Sequence, residues 1–466
     1  MSSLTMRSRG LGTMLNDGYL IGIAKASIWA FFLLIVDETL TLAGFKFELP
    51  IHPIVFYGLI SAGLFVTATL IDGTLEHLKD AGLFFVAFAI LVILGCAMYR
   101  GEGVGPDFNG LLLVESYRPS NAGYMLWPVL NLFAGAGLYL FARHKEFRQT
   151  IIAAAMAALI LQASAMEADM WWPAIFGDAN GRAGGFAQNA NVAALLVTIL
   201  ACLMLPALPG DRPNRFCIYA IMIAFAVVLL SQSRFGGVVA LTCLASFIFA
   251  VRKSAMAWPA PAFTVCLVAG LVGTIWLSPT LNPTADQIES AKIARAALMQ
   301  KHAKHDDSVK FQLPPGTLDA PVTLTERMES RASMDGSVEL RRNALAFYFK
   351  ILKDNPFGIG TGFTNKFMTG PHNVWLKLAV DEGFIAPILL LILLAAASWQ
   401  TIRTRSPALL AIMPIAWITS VFFHTLVVDP IILPAIAIGL GMIKTPVEDR
   451  RGKVCARDQI ATSCGT

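Results

Sequence analysis

Apolar runs, each close to the roughly twenty residues a helix needs to cross a bilayer, recur along the chain between short polar turns. They fall at 20–44, 51–71, 81–98, 123–141, 148–166, 191–209, 216–232, 235–251, 258–278, 378–401, 406–426 and 430–444. Runs of this length predict helices rather than strands, and twelve of them predict an all-α polytopic integral membrane protein. One interval interrupts the pattern: about 279–374 is polar, and it is the one sizeable segment that reads as water-exposed. Within it Leu340, Ala344, Phe347, Tyr348 and Ile351 repeat at helical spacing, which predicts an amphipathic helix lying along the membrane surface. The chain thus divides into a membrane bundle of about nine spans (1–278), a large loop with that helix (279–374), about three further spans (375–445) and a tail (446–466).

Composition agrees. Of 466 residues, 56% are hydrophobic and 14% charged, with mean hydropathy +0.63, against about 25% charged residues in a soluble domain. Placing the N-terminus in the cytoplasm gives the short cytoplasmic loops and tails seventeen Lys and Arg, and the short outer loops five. That bias puts both termini inside. It also accounts for the net charge of +5 and leaves no clustered basic face of the kind nucleic-acid binding needs. The polar N-terminus lacks a small-residue cleavage site after its first apolar run, so that run reads as a retained span. The seven cysteines lie mostly within apolar runs and read as core residues, not a disulfide framework.

The candidate chemistry lies at the outer ends of the spans. In VVLLSQSRFGGVVALTCL, Arg234 interrupts an apolar stretch, but residues 216–251 are enough for two short spans. Ser231 to Gly237 then form a tight outer turn, with Gly236 and Gly237 easing the reversal. Arg234 either snorkels to lipid phosphates or holds a bound anion. In DANGRAGGFAQNANVAALL, Arg182 precedes a Gly184-Gly185 turn, and Asn189 and Asn191 open the next span. Those asparagines either cap the helix or join an anion site at its N-terminus. In the second half of the large loop, Arg341 and Arg342 sit near the start of the amphipathic helix. NPFGIGTGF follows, and Pro371-His372-Asn373 stands just ahead of span ten. His372 can take a proton from an attacking hydroxyl, or form a capping pair with Asn373. His424 and Asp429 flank the last outer turn, where a structural hydrogen bond is expected of them. Asp381, Glu382 and Asp429 read as too scattered to form a metal site.

The order GRAGGFAQNAN, SQSRFGG, a large outer loop, NPFGIGTGF and HNVWLKLAVDEGFIAPIL resembles the O-antigen ligase and O-antigen polymerase superfamily of bacterial envelope glycosyltransferases. The resemblance covers about residues 180–400 by motif and the whole chain by topology. It implies a GT-C-like membrane glycosyltransferase of the inner membrane that works at the periplasmic face. The implied reaction moves a glycan from undecaprenyl diphosphate to an acceptor hydroxyl, on the lipid A core (ligase) or on another lipid-linked glycan (polymerase, of O-antigen or exopolysaccharide). It further implies that Arg182 and Arg234 grip the donor diphosphate, that His372 acts on the acceptor hydroxyl, and that Arg341 and Arg342 contribute basic charge. Guanidinium suits a departing diphosphate because its planar fork binds phosphate oxygens in pairs and stays charged. No DxD-like pair accompanies Arg182, Arg234 or His372, so a metal-independent enzyme without cofactors is expected.

The sequence departs from the family pattern where Ala183 separates Arg182 from the glycines. It departs again where Gln188 precedes Asn189-Ala190-Asn191 in place of the usual Asn-Pro-Asn run. Its outer loop is also long, with Ala285 to Val322 as a candidate acceptor-specific insertion. A flippase of lipid-linked oligosaccharides is the alternative from another class. It should line a path through the membrane with charge and show two related halves; neither feature is visible in the sequence.

Overall fold

In the computed structural model, residues 12–37, 39, 52–72, 75–99, 121–171, 183–187, 189–206, 215–231, 233–251, 335–366, 371–423 and 426–444 are described. The apolar windows become helices α1 (Gly12–Ala30, continued by a π-turn Phe31–Val36), α2 (Pro53–Asp72), α3 (Gly82–Met98), α4 (Asn121–Arg143), α5 (Lys145–Trp171) and α6 (Ala190–Leu203). Next come α7 (Arg215–Ser231), α8 (Arg234–Val251), α9 (Asp335–Asp354), α10 (Val374–Glu382), α11 (Ile385–Thr404), α12 (Pro407–Phe422) and α13 (Ile432–Met442). Among the described residues there is no strand. Among the described residues, six segments are long and apolar enough to cross a membrane: Gly18–Val36, Pro53–Asp72, His77–Met98, Gly123–Arg143, Lys145–Trp171 and Ile385–Thr404. Five shorter apolar helices stand at five more of the expected windows. The window 258–278 lies outside the described residues, as do the Ala285 to Val322 insertion and the C-terminal tail.

One continuous core holds the helices together, with α6 at its centre. From Ala193 to Leu203 every residue of α6 is buried, which a helix achieves only when surrounded on all sides. Lipid-type exposure persists on the outer helices, where Leu59, Leu83, Ile93 and Trp399 are all more than half exposed. Of the cysteines, Cys202, Cys217 and Cys243 are buried in the core, Cys96 is exposed, and all four are free thiols.

The two ends of the bundle differ in character. At one end Arg143 faces Asp80 at 3.4 Å and donates to the His77 carbonyl, while His144 Nε2 lies 3.0 Å from Asp72 Oδ1. There Arg148 donates to the carbonyl of Met442, and Ala408 N donates to that of Pro206. At the opposite end the ends of α3, α5, α7 and α12 meet the starts of α4, α6, α8, α10 and α13, and the polar motifs gather there.

One expectation is corrected here. Span ten does not run unbroken from 378: the chain breaks at Gly383, whose φ of 86° ends α10 and separates it from α11. A side chain at Gly383 would place its Cβ 2.7 Å from the Phe357 carbonyl, so the glycine is required by both conformation and packing. Part of the apolar face of α9 packs on protein. Tyr348 and Ile351 form a second small core with Ile359, Phe363, Leu376 and Val380, so α9 packs on α10 and the loop between them.

Candidate functional site

Three segments that the sequence marks as motifs come together at the polar end of the bundle. The first is the Gly184-Gly185 turn, clasped by two side chains of α5. Buried Asp169 Oδ2 accepts from the backbone N–H of Gly184 (3.1 Å) and Gly185 (2.7 Å). Gln162 donates to the Gly184 carbonyl at 3.1 Å and accepts from Phe186 N–H at 3.2 Å. Gly185 has φ 55°, and a Cβ there would stand 2.9 Å from Gln162 Nε2. Asn189 then caps α6, its Oδ1 accepting from Asn191 N–H (2.9 Å) and Val192 N–H (3.4 Å).

The second segment is the turn between α7 and α8. Ser233 Oγ donates to Asn191 Oδ1 at 2.7 Å and accepts from Gly236 N–H at 2.9 Å, so one hydroxyl caps α8 and ties it to the start of α6. Arg234 is the first residue of α8. The expectation for the glycines is corrected: Gly236 and Gly237 lie within the first turn of α8 and do not make the reversal. Gly236 instead allows close approach, because a Cβ there would stand 2.5 Å from Ala194 Cβ on α6.

The third segment is α10 with the loop that precedes it. His372 is half-buried and holds φ 47°, a left-handed conformation costly for a residue with a Cβ. Asn373 caps α10, with Oδ1 accepting from Leu376 N–H at 3.0 Å. The end of α12 joins this segment to the second. Phe235, beside Arg234, packs its ring 4.5 Å from that of Phe423, while Trp375 on α10 stacks on Trp417 at 6.0 Å and donates to Ser420 Oγ at 3.1 Å.

The side chains of Arg234, Arg341 and Arg342, and all of Arg182, Gln188 and His424, lie outside the described residues. Asn189 and Asn373 use their carbonyl oxygens as helix caps, and Asn191 uses its own on Ser233.

The loop and α10 also contain charged residues that the sequence reading did not assemble. Asp381 and Lys377 are 2% and 5% exposed. Asp381 accepts from Thr364 N–H (2.8 Å), Thr364 Oγ1 (3.0 Å) and Gly362 N–H (3.3 Å). Lys377 donates to Asn365 Oδ1 at 3.0 Å and lies over the Tyr124 ring, 4.9 Å from its centre. Burial lowers the Lys377 ammonium's pKa, against the pull of Asp381, Glu382 and Asp429. Burial pushes Asp381 up to about 6, although Lys377 and the hydrogen bonds from Thr364 and Gly362 hold it back. Burial, then the charge of Asp381, pushes Glu382 up to about 8. Among the described residues, Glu382 Oε2 is buried without a hydrogen-bond partner. Asp429 is carried on a turn whose carbonyls at Val427, Val428 and Asp429 all accept from Asn131, which itself accepts from Tyr57. The i, i+4 spacing of Lys377 and Asp381 on α10 is the sequence signal that could have found this group.

No curated protein is similar to this chain in sequence. Residues 219–391, from α7 through Arg234, α9, His372 and α10 into α11, match the family model described as O-antigen ligase, a match that supports the likeness to the O-antigen ligase and polymerase superfamily.

Proposed function

We propose that this protein is a metal-independent glycosyltransferase that moves a glycan from undecaprenyl diphosphate onto an acceptor hydroxyl, with a lipid A core sugar as acceptor. The reading includes twelve spans in the bacterial inner membrane, both termini in the cytoplasm, residues 279–374 outside the spans, and the site facing the periplasm. One observation carries it: the O-antigen ligase match contains both Arg234 and His372. The hydrogen bond from Ser233 to Asn191 supports adding Arg182, because it ties the start of α8 to the motif in which Arg182 stands.

In the proposed reaction an acceptor oxygen attacks the anomeric carbon, the bond to the diphosphate oxygen breaks, and that oxygen leaves with the electron pair. Negative charge grows on the leaving group, so guanidinium groups at Arg182 and Arg234 stabilise the transition state more than the ground state. Arg341, Arg342, Asn189, Asn191 and Asn373 stand as further substrate contacts. His372 positions the acceptor hydroxyl and accepts its proton, from a backbone conformation that its neighbours must hold in place.

The test is transfer by the purified protein in detergent, supplied with undecaprenyl-diphosphate glycan and a lipid A core acceptor. With no membrane to cross, product can arise only by catalysis, and folded protein that forms none would favour a flippase. Arg234→Ala and His372→Ala should each abolish product with the fold intact. A polymerase would share the donor and these residues. A deletion strain separates the two readings: loss of every long chain from the core supports a ligase, while single repeats still attached support a polymerase.

A further inference from the structure

Lys377 and Asp381 stand one helical turn apart on α10, both buried, yet each spends its hydrogen bonds on the preceding loop. Asp381 holds Thr364 by its N–H and its hydroxyl, and Lys377 holds Asn365, the next residue. Seven residues after Asn365, His372 stands just ahead of the same helix, with Lys377 N–H donating to the Asn373 carbonyl at 3.0 Å. The described residues before His372 and the helix after it are therefore joined through one pair of side chains. We propose that Lys377 and Asp381 are positioning residues: together they clasp the stem of the His372 loop and so fix where the imidazole stands.

Three observations support a positioning role over simple packing. A buried lysine and aspartate are expensive to desolvate, and apolar residues of similar volume would stabilise α10 at least as well. The Lys377 ammonium is directed by its surroundings, with Asn365 as acceptor and the Tyr124 ring beneath it. His372 holds a left-handed backbone, which persists only where the flanking chain is firmly anchored. The inference rests on the reading of His372 as the group that acts on the acceptor hydroxyl.

Full-length Lys377→Met and Asn365→Leu, each checked for an intact melting transition in detergent, test the clasp from both sides. Loss of registry by about an ångström should lower kcat by ~10–100-fold while donor KM moves by less than about twofold. Because both variants break one bond, the double variant should be little worse than the worse single variant. Asn365→Asp, which still offers Lys377 an acceptor, should recover part of what Asn365→Leu loses. The rate at which diethyl pyrocarbonate modifies His372, read by peptide mass spectrometry, should rise in Lys377→Met and Asn365→Leu. Unchanged kcat together with unchanged His372 reactivity overturns the clasp, as does a loss of activity that only follows the loss of folded protein. If the unaltered protein transfers no glycan, the proposed function fails, while His372 reactivity still decides the clasp.

Discussion

Replacing Gly236 by alanine adds one methyl group at the closest approach of α6 and α8. Its Cβ would stand 2.5 Å from Ala194 Cβ, 3.1 Å from Ser233 Cβ and 3.2 Å from Val228 Cγ1. Carbon atoms rest at about 3.5–4.0 Å, so the first of these contacts forces α8 away from α6 by about 1 Å. None of the three neighbours is the free end of a long side chain, so little of the shift can be absorbed locally. Overpacking of this kind costs about 1–3 kcal/mol, which a melting curve in detergent resolves. The same shift moves Ser233 and Arg234, and an ångström of misplacement can lower catalysis by about a hundredfold. Gly237→Ala is the control: none of the described residues lies within 4 Å of its added Cβ, so helix propensity alone should leave it neutral or up to about 1 kcal/mol more stable. Ala194→Gly removes the opposing carbon and should rescue Gly236→Ala in both stability and transfer. Equal behaviour of the two glycine variants, or no rescue by Ala194→Gly, would refute the close-approach argument.

Further outcomes follow from other parts of the site. Glu382, raised from its ordinary 4.5 to about 8, binds a proton more tightly folded than unfolded, so its contribution is complete below about pH 4.5 and is lost as pH rises towards 8. The melting temperature should therefore fall across that window, and Glu382→Gln should flatten the fall; an unchanged slope would mean the carboxyl is not held in its protonated form. Gly185→Ala meets both a φ of 55° and Gln162 Nε2 at 2.9 Å, and should destabilise by about 1–3 kcal/mol; a melting temperature equal to that of the unaltered protein would contradict this. Transfer should continue in EDTA, and restoration of lost activity by magnesium or manganese would count against a metal-independent reaction.

Much of the scaffold was legible because membrane helices announce themselves by length and hydropathy, and eleven of the expected windows hold apolar helices. The caps at Asn189 and Asn373 were legible too, since side chains of this type satisfy the bare N–H groups at a helix start. Three features were not. The break at Gly383 is set by contact with Phe357, a residue twenty-six positions earlier, inside a run that otherwise reads as one span. The grip of Asp169 and Gln162 on the Gly184-Gly185 turn joins a span end to a loop, and no local periodicity reports it. Gly236 looked like a turn residue because a glycine pair suggests reversal, whereas here the demand comes from a neighbouring helix. Lys377 and Asp381 lay between these cases: their spacing was visible, but their partners at Thr364 and Asn365 were fixed only by the folded loop.

The break at Gly383 also bears on how such a chain enters a membrane. Were α10 and α11 one continuous helix, Lys377, Asp381 and Glu382 would extend it well beyond the roughly twenty apolar residues a span needs. By turning at Gly383 the chain offers the translocation channel only Ile385–Thr404, which is apolar enough to partition on its own. The polar helix and the loop before it can then dock afterwards, once α3 and α4 are in place to receive them. One glycine thus separates the part of the sequence that lipid selects from the part that chemistry requires.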